Sequence, residues 1–125
     1  MLTVLPIRYV ADVDRTRRFY EGLGLTHRAD LSVDVWAQLD AEAGGLGIHD
    51  AAVSKGKPPG AVELGFSTDE SLMDVMARLS SLGYRPELFD EDFGRSLRVV
   101  DPDGVTIQIQ EIDTAVVRRS QDALR

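Results

Sequence analysis

The sequence predicts an α+β domain in which two tandem βαβββ units form an incomplete barrel with the helices outside. Two observations lead to this prediction. A strand, an amphipathic helix and three short strands follow one another twice along the 125 residues. The phrase Leu23-Gly24-Leu25 also recurs as Leu82-Gly83-Tyr84, 59 residues later. One such unit leaves a sheet face uncovered, whereas two copies can bury it together.

The first unit starts with a strand over residues 2–10, which are rich in branched and aromatic side chains. Asp12 is placed to cap a following helix, which Gly24 ends. Short strands are then expected near 26–31, 33–39 and 45–50. The apolar stripe of the helix contains Val13, Phe19, Tyr20 and Leu23.

The second unit repeats this order. Residues 61–67 predict a strand whose Val62, Leu64 and Phe66 pack under the helix. Ser67 and Glu70 have the spacing of a capping box for that helix. Its apolar stripe contains Leu72, Val75, Met76, Leu79 and Leu82, and Gly83 closes it. Strands are expected near 85–89, 95–100 and 104–110.

We interpret residues 1–125 as one domain. Unit one covers about residues 1–50, and unit two about residues 61–112. The polar, Pro- and Gly-containing stretch 51–60 is the natural linker. The charged tail, 113–125, is mildly helical and is expected to dock or fray.

Composition narrows the possible partners and compartment. The net charge of −7 disfavours nucleic acid, since affinity for phosphates comes mainly from Lys and Arg. The absence of cysteine excludes disulfides and thiol chemistry. No apolar run approaches the ~20 residues of a membrane span, and the N-terminus has no signal-peptide pattern. We therefore expect a cytoplasmic protein with no nucleic-acid or membrane partner.

Strand alternation indicates which side chains face the concave side of the barrel. His49 and Gln108 occupy equivalent positions, four residues after Gly45 and Gly104. A lone strand His is often a core or rim residue, but a pocket between two repeated units commonly binds a small molecule. The predicted ligand-binding residues are Leu5, Ile7, Tyr9, Asp34, Trp36, Gln38, His49, Glu63, Gln108 and Gln110.

Three motifs carry a resemblance to a known family. They are Leu5 to Val13 (LPIRYVADV), Phe19 to Leu25 (FYEGLGL) and Asp101 to Gln108 (DPDGVTIQ). With them the chain resembles the glyoxalase / bleomycin-resistance / extradiol dioxygenase (vicinal oxygen chelate) family over about residues 3–111. Leu5-Pro6, Ile48-His49 and Val62-Glu63-Leu64 are most similar to the bleomycin-resistance branch. One fold of this kind hosts many activities.

The resemblance has two different implications for cofactors. In the metal enzymes of the family, four ligands occupy positions that correspond to Leu5, His49, Glu63 and Gln108. Leu5 cannot bind a metal, which leaves His49, Glu63 and Gln108 as the alternative set for one divalent ion. The bleomycin-resistance branch binds drug in grooves of a strand-swapped dimer and needs no catalytic metal. We expect a homodimer here as well.

Three functions remain open, and with them whether the protein is an enzyme. The first is a protein that sequesters an aromatic or cationic small molecule without a metal or other cofactor, as in antibiotic resistance. Trp36 would then stack on the ligand, while Glu63 and Asp34 supply charge. The second is a divalent-metal-dependent lyase, isomerase or dioxygenase acting on a substrate with vicinal oxygens. The third is a domain whose pocket holds no ligand.

Overall fold

The computed structural model describes residues 1–91 and 94–123, and these form two five-stranded sheets with three α-helices. The sheets are not closed into a barrel, so the predicted α+β class with an incomplete barrel is confirmed. The strands are β1 Leu2–Val4, β2 Ile7–Val10, β3 Thr26–His27, β4 Trp36–Asp40, β5 Gly45–Asp50, β6 Val62–Glu63, β7 Gly65–Thr68, β8 Glu87–Glu91, β9 Gly94–Val100 and β10 Thr106–Ile112. The helices are α1 Val13–Gly22, α2 Leu72–Ser81 and α3 Thr114–Ala123.

The two sheets repeat one strand order. The first sheet runs β3-β4-β5-β2-β6, and the second runs β8-β9-β10-β7-β1. In the first sheet β2 is parallel to β5, and in the second sheet β7 is parallel to β10. All other neighbouring strands are antiparallel. The predicted strand at the start of each unit is thus divided into two strands. In the first unit the two parts are β1, in the second sheet, and β2, in the first sheet. In the second unit they are β6, in the first sheet, and β7, in the second sheet.

The two divided strands run antiparallel to each other and join the sheets. Leu2 lies opposite Thr68, Val4 opposite Phe66, and Ile7 opposite Glu63. Between these pairs, the Leu5 N–H donates to the Gly65 carbonyl oxygen at 2.8 Å. This crossing puts side chains of both units on one concave side, and it brings Glu63 next to the first sheet.

Each long helix covers the outside of one sheet. In α1, Val13 and Tyr20 pack against Leu39 and Ile48. In α2, the buried residues Leu72 and Val75 pack against the second sheet, on Leu97 and Ile109. Phe19 and Leu23 are 62% and 64% exposed, so the predicted stripe of α1 is wrong for these two residues. Successive residues of a helix point to different sides, so Phe19 is exposed although its neighbour Tyr20 packs on the sheet. Leu23 is exposed because it follows the last residue of the helix.

Two predictions for the start of the second unit are also wrong. Val62 and Leu64 are 64% and 45% exposed, because the chain crosses between the sheets there and α2 does not cover it. Ser67 and Glu70 do not form the capping box, since Ser67 belongs to β7. A carboxylate oxygen of Glu111 on β10 instead accepts the N–H of Leu72 at 2.8 Å.

The described part of the tail docks on the domain as α3. Val117 is fully buried, and the Gln121 amide donates to the carbonyl oxygens of Ala29 and Ser32 in the first unit. Residues 124–125 of the predicted tail lie outside the described residues. Among the described helices, none has the length and apolar character required to cross a membrane.

Candidate functional site

A cavity of about 160 Å³ lies on the concave side, between the two sheets. Strands of both units and the segment that follows β5 contribute to it. Its lining contains Ile7, Tyr9, Trp36, His49, Val53, Ser54, Lys55, Lys57, Glu63, Phe89, Asp90, Glu91, Arg98, Gln108 and Gln110. A volume of this size is comparable to the ~150 Å³ cavity in which a benzene molecule binds.

The cavity brings together seven of the ten predicted ligand-binding residues and leaves out three. The seven are Ile7, Tyr9, Trp36, His49, Glu63, Gln108 and Gln110. Leu5 is buried in the apolar cluster with Ile7 and Trp36, and does not line the cavity. Gln38 is also buried outside it, and its side-chain oxygen has no hydrogen-bond partner within residues 1–91 and 94–123.

Asp34 lies away from this cavity, contrary to the prediction. Val33 and Trp36 exchange backbone hydrogen bonds of 2.8 and 3.2 Å, so Asp34 and Val35 form the turn between them. β4 therefore begins at Trp36 and not at residue 33. Side-chain alternation holds only within a strand, and the exposed Asp34 lines a different depression beside α1.

Glu63 is the centre of a hydrogen-bonded network in the cavity wall. Its side chain is 7% exposed. One carboxylate oxygen, Oε1, accepts from the Tyr9 hydroxyl at 3.1 Å and from the Gln108 amide at 3.2 Å. Gln108 in turn accepts from the Gln110 amide. Burial and the neighbouring Glu63 carboxylate raise the pKa of Tyr9, which keeps its hydroxyl protonated as the donor.

Three acceptor atoms of residues that line the cavity have no hydrogen-bond donor among the described residues. The second carboxylate oxygen of Glu63, Oε2, has Lys57 Nζ at 4.0 Å, beyond hydrogen-bond distance. The side-chain oxygen of Gln110 has no hydrogen-bond partner in the described part of the chain, although that residue is 1% exposed. The third acceptor is Nε2 of His49. Nδ1 of that ring lies 2.8 Å from the Asp50 carbonyl oxygen, which can only accept, so the tautomer that makes this hydrogen bond has its lone pair on Nε2.

Trp36 forms the floor of the cavity and is 2% exposed. Its ring lies against Gly47 of the neighbouring strand β5, and its ring centroid is 6.2 Å from that of His49. With 2% of its surface exposed, Trp36 offers little of its ring to a ligand. The predicted stacking role does not suit a side chain packed in this way.

The sequence interpretation missed one aromatic and several cationic residues that line the cavity. Arg98 lies over the Phe89 ring, with Cζ 4.8 Å from the ring centroid. Lys55 Nζ lies 5.9 Å from the same centroid. Alternation in β9 could have identified Arg98, because the buried Leu97 precedes it and faces the helix. Nothing in the pattern of 51–60 pointed to Lys55 or Lys57.

The residues that correspond to the family's metal ligands do not suit a divalent ion here. Gln108 directs an N–H group at Glu63, and its oxygen already accepts from Gln110. His49 Nε2 and Glu63 Oε2 remain, with one formal negative charge and the Lys57 ammonium 4.0 Å away. Protein sites for zinc use three or four ligands. Within the described ranges, no group of three or more His, Cys, Asp or Glu residues could hold a metal ion.

Several solved structures share this fold. One is an NAD-dependent benzaldehyde dehydrogenase from Legionella pneumophila, with 22% identity over 88% of this chain and 99% of that chain, and a TM-score of 0.66. A glyoxalase/bleomycin resistance/dioxygenase superfamily member from Vibrio splendidus 12B01 has 15% identity over 89% and 99%, with a TM-score of 0.51. An extradiol ring-cleaving dioxygenase from B. fuscum has 21% identity over 95% of this chain and 35% of that one, with a TM-score of 0.52.

No protein-family model matches the sequence, and no curated protein matches it. The chain thus has the fold of the glyoxalase/bleomycin resistance/dioxygenase superfamily, which confirms the resemblance at the level of the fold. Identities this low concern the fold alone, because unrelated activities share it.

Proposed function

We propose that the protein binds and sequesters a small cationic molecule, about one aromatic ring in size, without a metal ion. The observation that carries this proposal is a set of three acceptors in the residues that line the cavity: Glu63 Oε2 and His49 Nε2 from the first sheet, and Gln110 Oε1 from the second. A buried acceptor without a donor costs about 1–3 kcal/mol. A ligand with several N–H groups, such as an ammonium or amidinium ion, would satisfy Glu63 Oε2 and His49 Nε2.

The charge on Glu63 favours a cationic ligand over a neutral one. Its carboxylate is nearly buried, and the two groups that donate to Oε1 are neutral. A buried carboxylate is stabilised most by a cation that also donates a hydrogen bond to it. Lys57 gives only a distant contact, and its side chain is 45% exposed. The ammonium of a ligand could approach Oε2 more closely than Lys57 does.

The remaining surface of the cavity suits an aromatic ring. Ile7 and the edge of Trp36 are apolar, and Phe89 lies at the cavity with its side chain half-buried. Since the volume is about 160 Å³, a large drug would not fit inside this cavity. Sequestration of a small cationic drug in the cytoplasm would be one biological use, as an antibiotic resistance protein.

Benzylamine is a suitable probe, and titration calorimetry would measure its affinity. We expect Glu63→Gln to weaken binding about 10- to 100-fold, since a hydrogen bond to a charged group contributes about 1.5–3 kcal/mol. Glu87→Gln is the matched control, because Glu87 is exposed and does not line the cavity. Equal affinities for the native protein and the Glu63 variant would refute the proposal.

Metal analysis of the native protein distinguishes this function from the divalent-metal enzyme. We expect benzylamine binding to be unchanged by a chelator. Near-stoichiometric zinc, nickel, manganese or iron that is lost in His49→Ala would favour the enzyme instead.

We further propose a homodimer. Leu2, Val4 and Val62 are exposed apolar residues on the paired strands that join the sheets, and the exposed Leu64 lies between β6 and β7. Most soluble assemblies of identical chains are two-fold symmetric dimers. Light scattering at micromolar concentration should give twice the 13.7 kDa chain mass, and a value near 13.7 kDa would contradict the dimer.

A further inference from the structure

We infer that Trp36 determines the size of ligand that the cavity accepts and excludes molecules with two fused rings. This inference rests on the proposed function and names a specificity-determining residue of the same cavity. It comes from the place that the indole ring of Trp36 occupies on the first sheet, in line with Glu63.

Glu63 belongs to a row of directly paired residues that crosses the first sheet. Glu63 on β6 lies opposite Ile7 on β2, and Ile7 lies opposite Gly47 on β5. Neighbouring strands are about 4.8 Å apart, so Gly47 lies about 10 Å from Glu63 along this row. A ligand whose cation is held by Glu63 and whose body lies over Ile7 therefore extends toward Gly47.

The indole ring of Trp36 fills the place above Gly47. Trp36 is paired with His49, two residues further along β5, so its side chain reaches diagonally into the row of Glu63. A Cβ atom built on Gly47 would lie 2.1 Å from Cη2 of the ring and 2.8 Å from Cζ2 and Cζ3. Because Trp36 also lines the cavity, its ring closes the row at the end away from Glu63.

The packing around the indole keeps it in this position. Trp36 is 2% exposed and lies in an apolar cluster that includes Leu5 and Ala51. Moving the ring aside would break many van der Waals contacts, which are weak singly and large together. The cavity volume of about 160 Å³ is close to the ~150 Å³ that holds one benzene molecule. A second fused ring adds four carbon atoms, for which this volume has no room.

Shortening Trp36 would join the space of the indole to the cavity. That space is bordered by the apolar cluster and by Gly47, which has no side chain to fill it. An engineered cavity with apolar walls stays dry and binds an aromatic ring. We therefore expect the enlarged cavity to accept a ligand with two fused rings.

The test compares benzylamine with 2-naphthylmethylamine by titration calorimetry, on the native protein and on Trp36→Ala. The two probes carry the same ammonium group and differ by one fused ring. The native protein should bind 2-naphthylmethylamine at least about tenfold more weakly than benzylamine. Trp36→Ala should bind it at least about tenfold more tightly than the native protein does, since burial of about 60 Å² of apolar surface is sufficient for that factor.

A second substitution can refill the space that Trp36→Ala leaves. The Cβ atom of residue 47 points into that space, and Gly47 does not have a positive φ, so a leucine there is unstrained. Gly47→Leu in the Trp36→Ala background should restore the preference for benzylamine. Leu39→Ala is the matched control, because Leu39 is fully buried against the helix side of β4 and does not line the cavity. It should preserve the native ratio of affinities.

If Trp36→Ala does not fold, Trp36→Leu replaces it, with the same direction of change expected. A native protein that binds both probes equally, a Trp36 variant with the native ratio, or a double variant that keeps the two-ring preference would overturn the role of Trp36 alone. If Trp36→Ala gains affinity for 2-naphthylmethylamine but Glu63→Gln changes neither affinity, the role of Trp36 holds and the proposed cation binding fails. Binding of neither probe by the native protein or a Trp36 variant would refute both.

Discussion

Gly47 shows how closely the cavity floor is packed. A Cβ atom built on Gly47 would overlap the six-membered ring of Trp36. That ring is 2% exposed and cannot move into solvent without uncovering the floor. Glycine is therefore required at this position in β5 by the size of its neighbour and not by its own backbone angles.

We expect Gly47→Ala to lower the free energy of unfolding by about 1–3 kcal/mol, the usual cost of overpacking. Urea denaturation followed by circular dichroism would measure it. Gly22→Ala is the control, because Gly22 ends α1 and has no atom within 4 Å of its built Cβ. Alanine there should be neutral or stabilising. A Gly47 variant as stable as the control would contradict the packing described for Trp36.

If the ligand is a cation, as proposed, Lys57 would compete with it for Glu63. Its ammonium is 4.0 Å from Glu63 Oε2, and an ion pair of such an exposed side chain contributes about 0.2–1 kcal/mol. Lys57→Gln should therefore tighten benzylamine binding about two- to fivefold, as calorimetry would measure. Arg85→Gln is the control for the loss of one positive charge, because Arg85 is exposed and does not line the cavity. Weaker binding in the Lys57 variant would mean that Lys57 helps to hold the ligand.

At the residue scale, alternation predicted four cavity positions within strands but failed for Gln38, which lies in β4 and does not line the cavity. Tyr9, His49, Glu63 and Gln108 lie in strands and face the cavity, as the sequence pattern indicates. Asp34 does not, because hydrophobic residues on both sides of it made a turn look like a strand. The hydrogen bonds that join Glu63 to Tyr9 and Gln108 depend on the crossing of two strands far apart in the sequence, which no local pattern records.

At the scale of elements, α2 depends on a carboxylate from another strand. Glu111 accepts the Leu72 N–H and pairs with Arg95 at 2.9 Å. The hydrogen bond from the Leu72 N–H is the larger cause of a lowered pKa of Glu111, and the contact with Arg95 lowers this pKa further. A carboxylate whose pKa is lowered by folding stabilises the folded state above its unfolded-state pKa, and this contribution is lost as the pH falls through the folded-state value.

We therefore expect Glu111→Gln to cost about 1 kcal/mol of unfolding free energy near neutral pH, as for other helix caps. The difference from the native protein should shrink as the pH falls below the ordinary Glu value of 4.5, because Glu111 itself then becomes neutral. Urea denaturation at several pH values would measure this. Glu87→Gln should show no such dependence. A pH-independent cost at Glu111 would indicate a packing effect and not a charge effect.

The elements themselves were easier to predict than their ends. The helix stripes and the glycines that follow them predicted α1 and α2, since both signals are local. The cap of α2 was mispredicted because Ser and Glu three residues apart also occur where the Ser still belongs to a strand. The spacing alone does not distinguish that case from a Ser that precedes a helix. The predicted strand near 26–31 is two residues long and is followed by a short 3₁₀ helix, Ala29–Leu31. Its start pairs with β4, and its end turns away to meet α3.

At the scale of the whole molecule, the two units are held together by paired strands as well as by residues 51–60. β1 belongs to the second sheet and β6 to the first.

A chain cut between Pro58 and Pro59, where the backbone is exposed, should remain one particle. A protease site inserted there would allow this cut, and gel filtration should show both fragments eluting together. Fragments that separate, or aggregate, would show that 51–60 is required to hold the units together.

The exchange of β1 and β6 between the sheets also bears on synthesis at the ribosome. β1 ends at Val4, but its hydrogen-bonding partner β7 ends at Thr68, more than sixty residues later. At about 5–20 residues per second, roughly 3–13 s pass before that partner is translated. During this interval the apolar residues Leu2 and Val4 have no strand to pair with. Rare codons that slow translation between these two strands would lengthen the exposure, and a nascent-chain binding chaperone would have its longest access to the N-terminus at this stage.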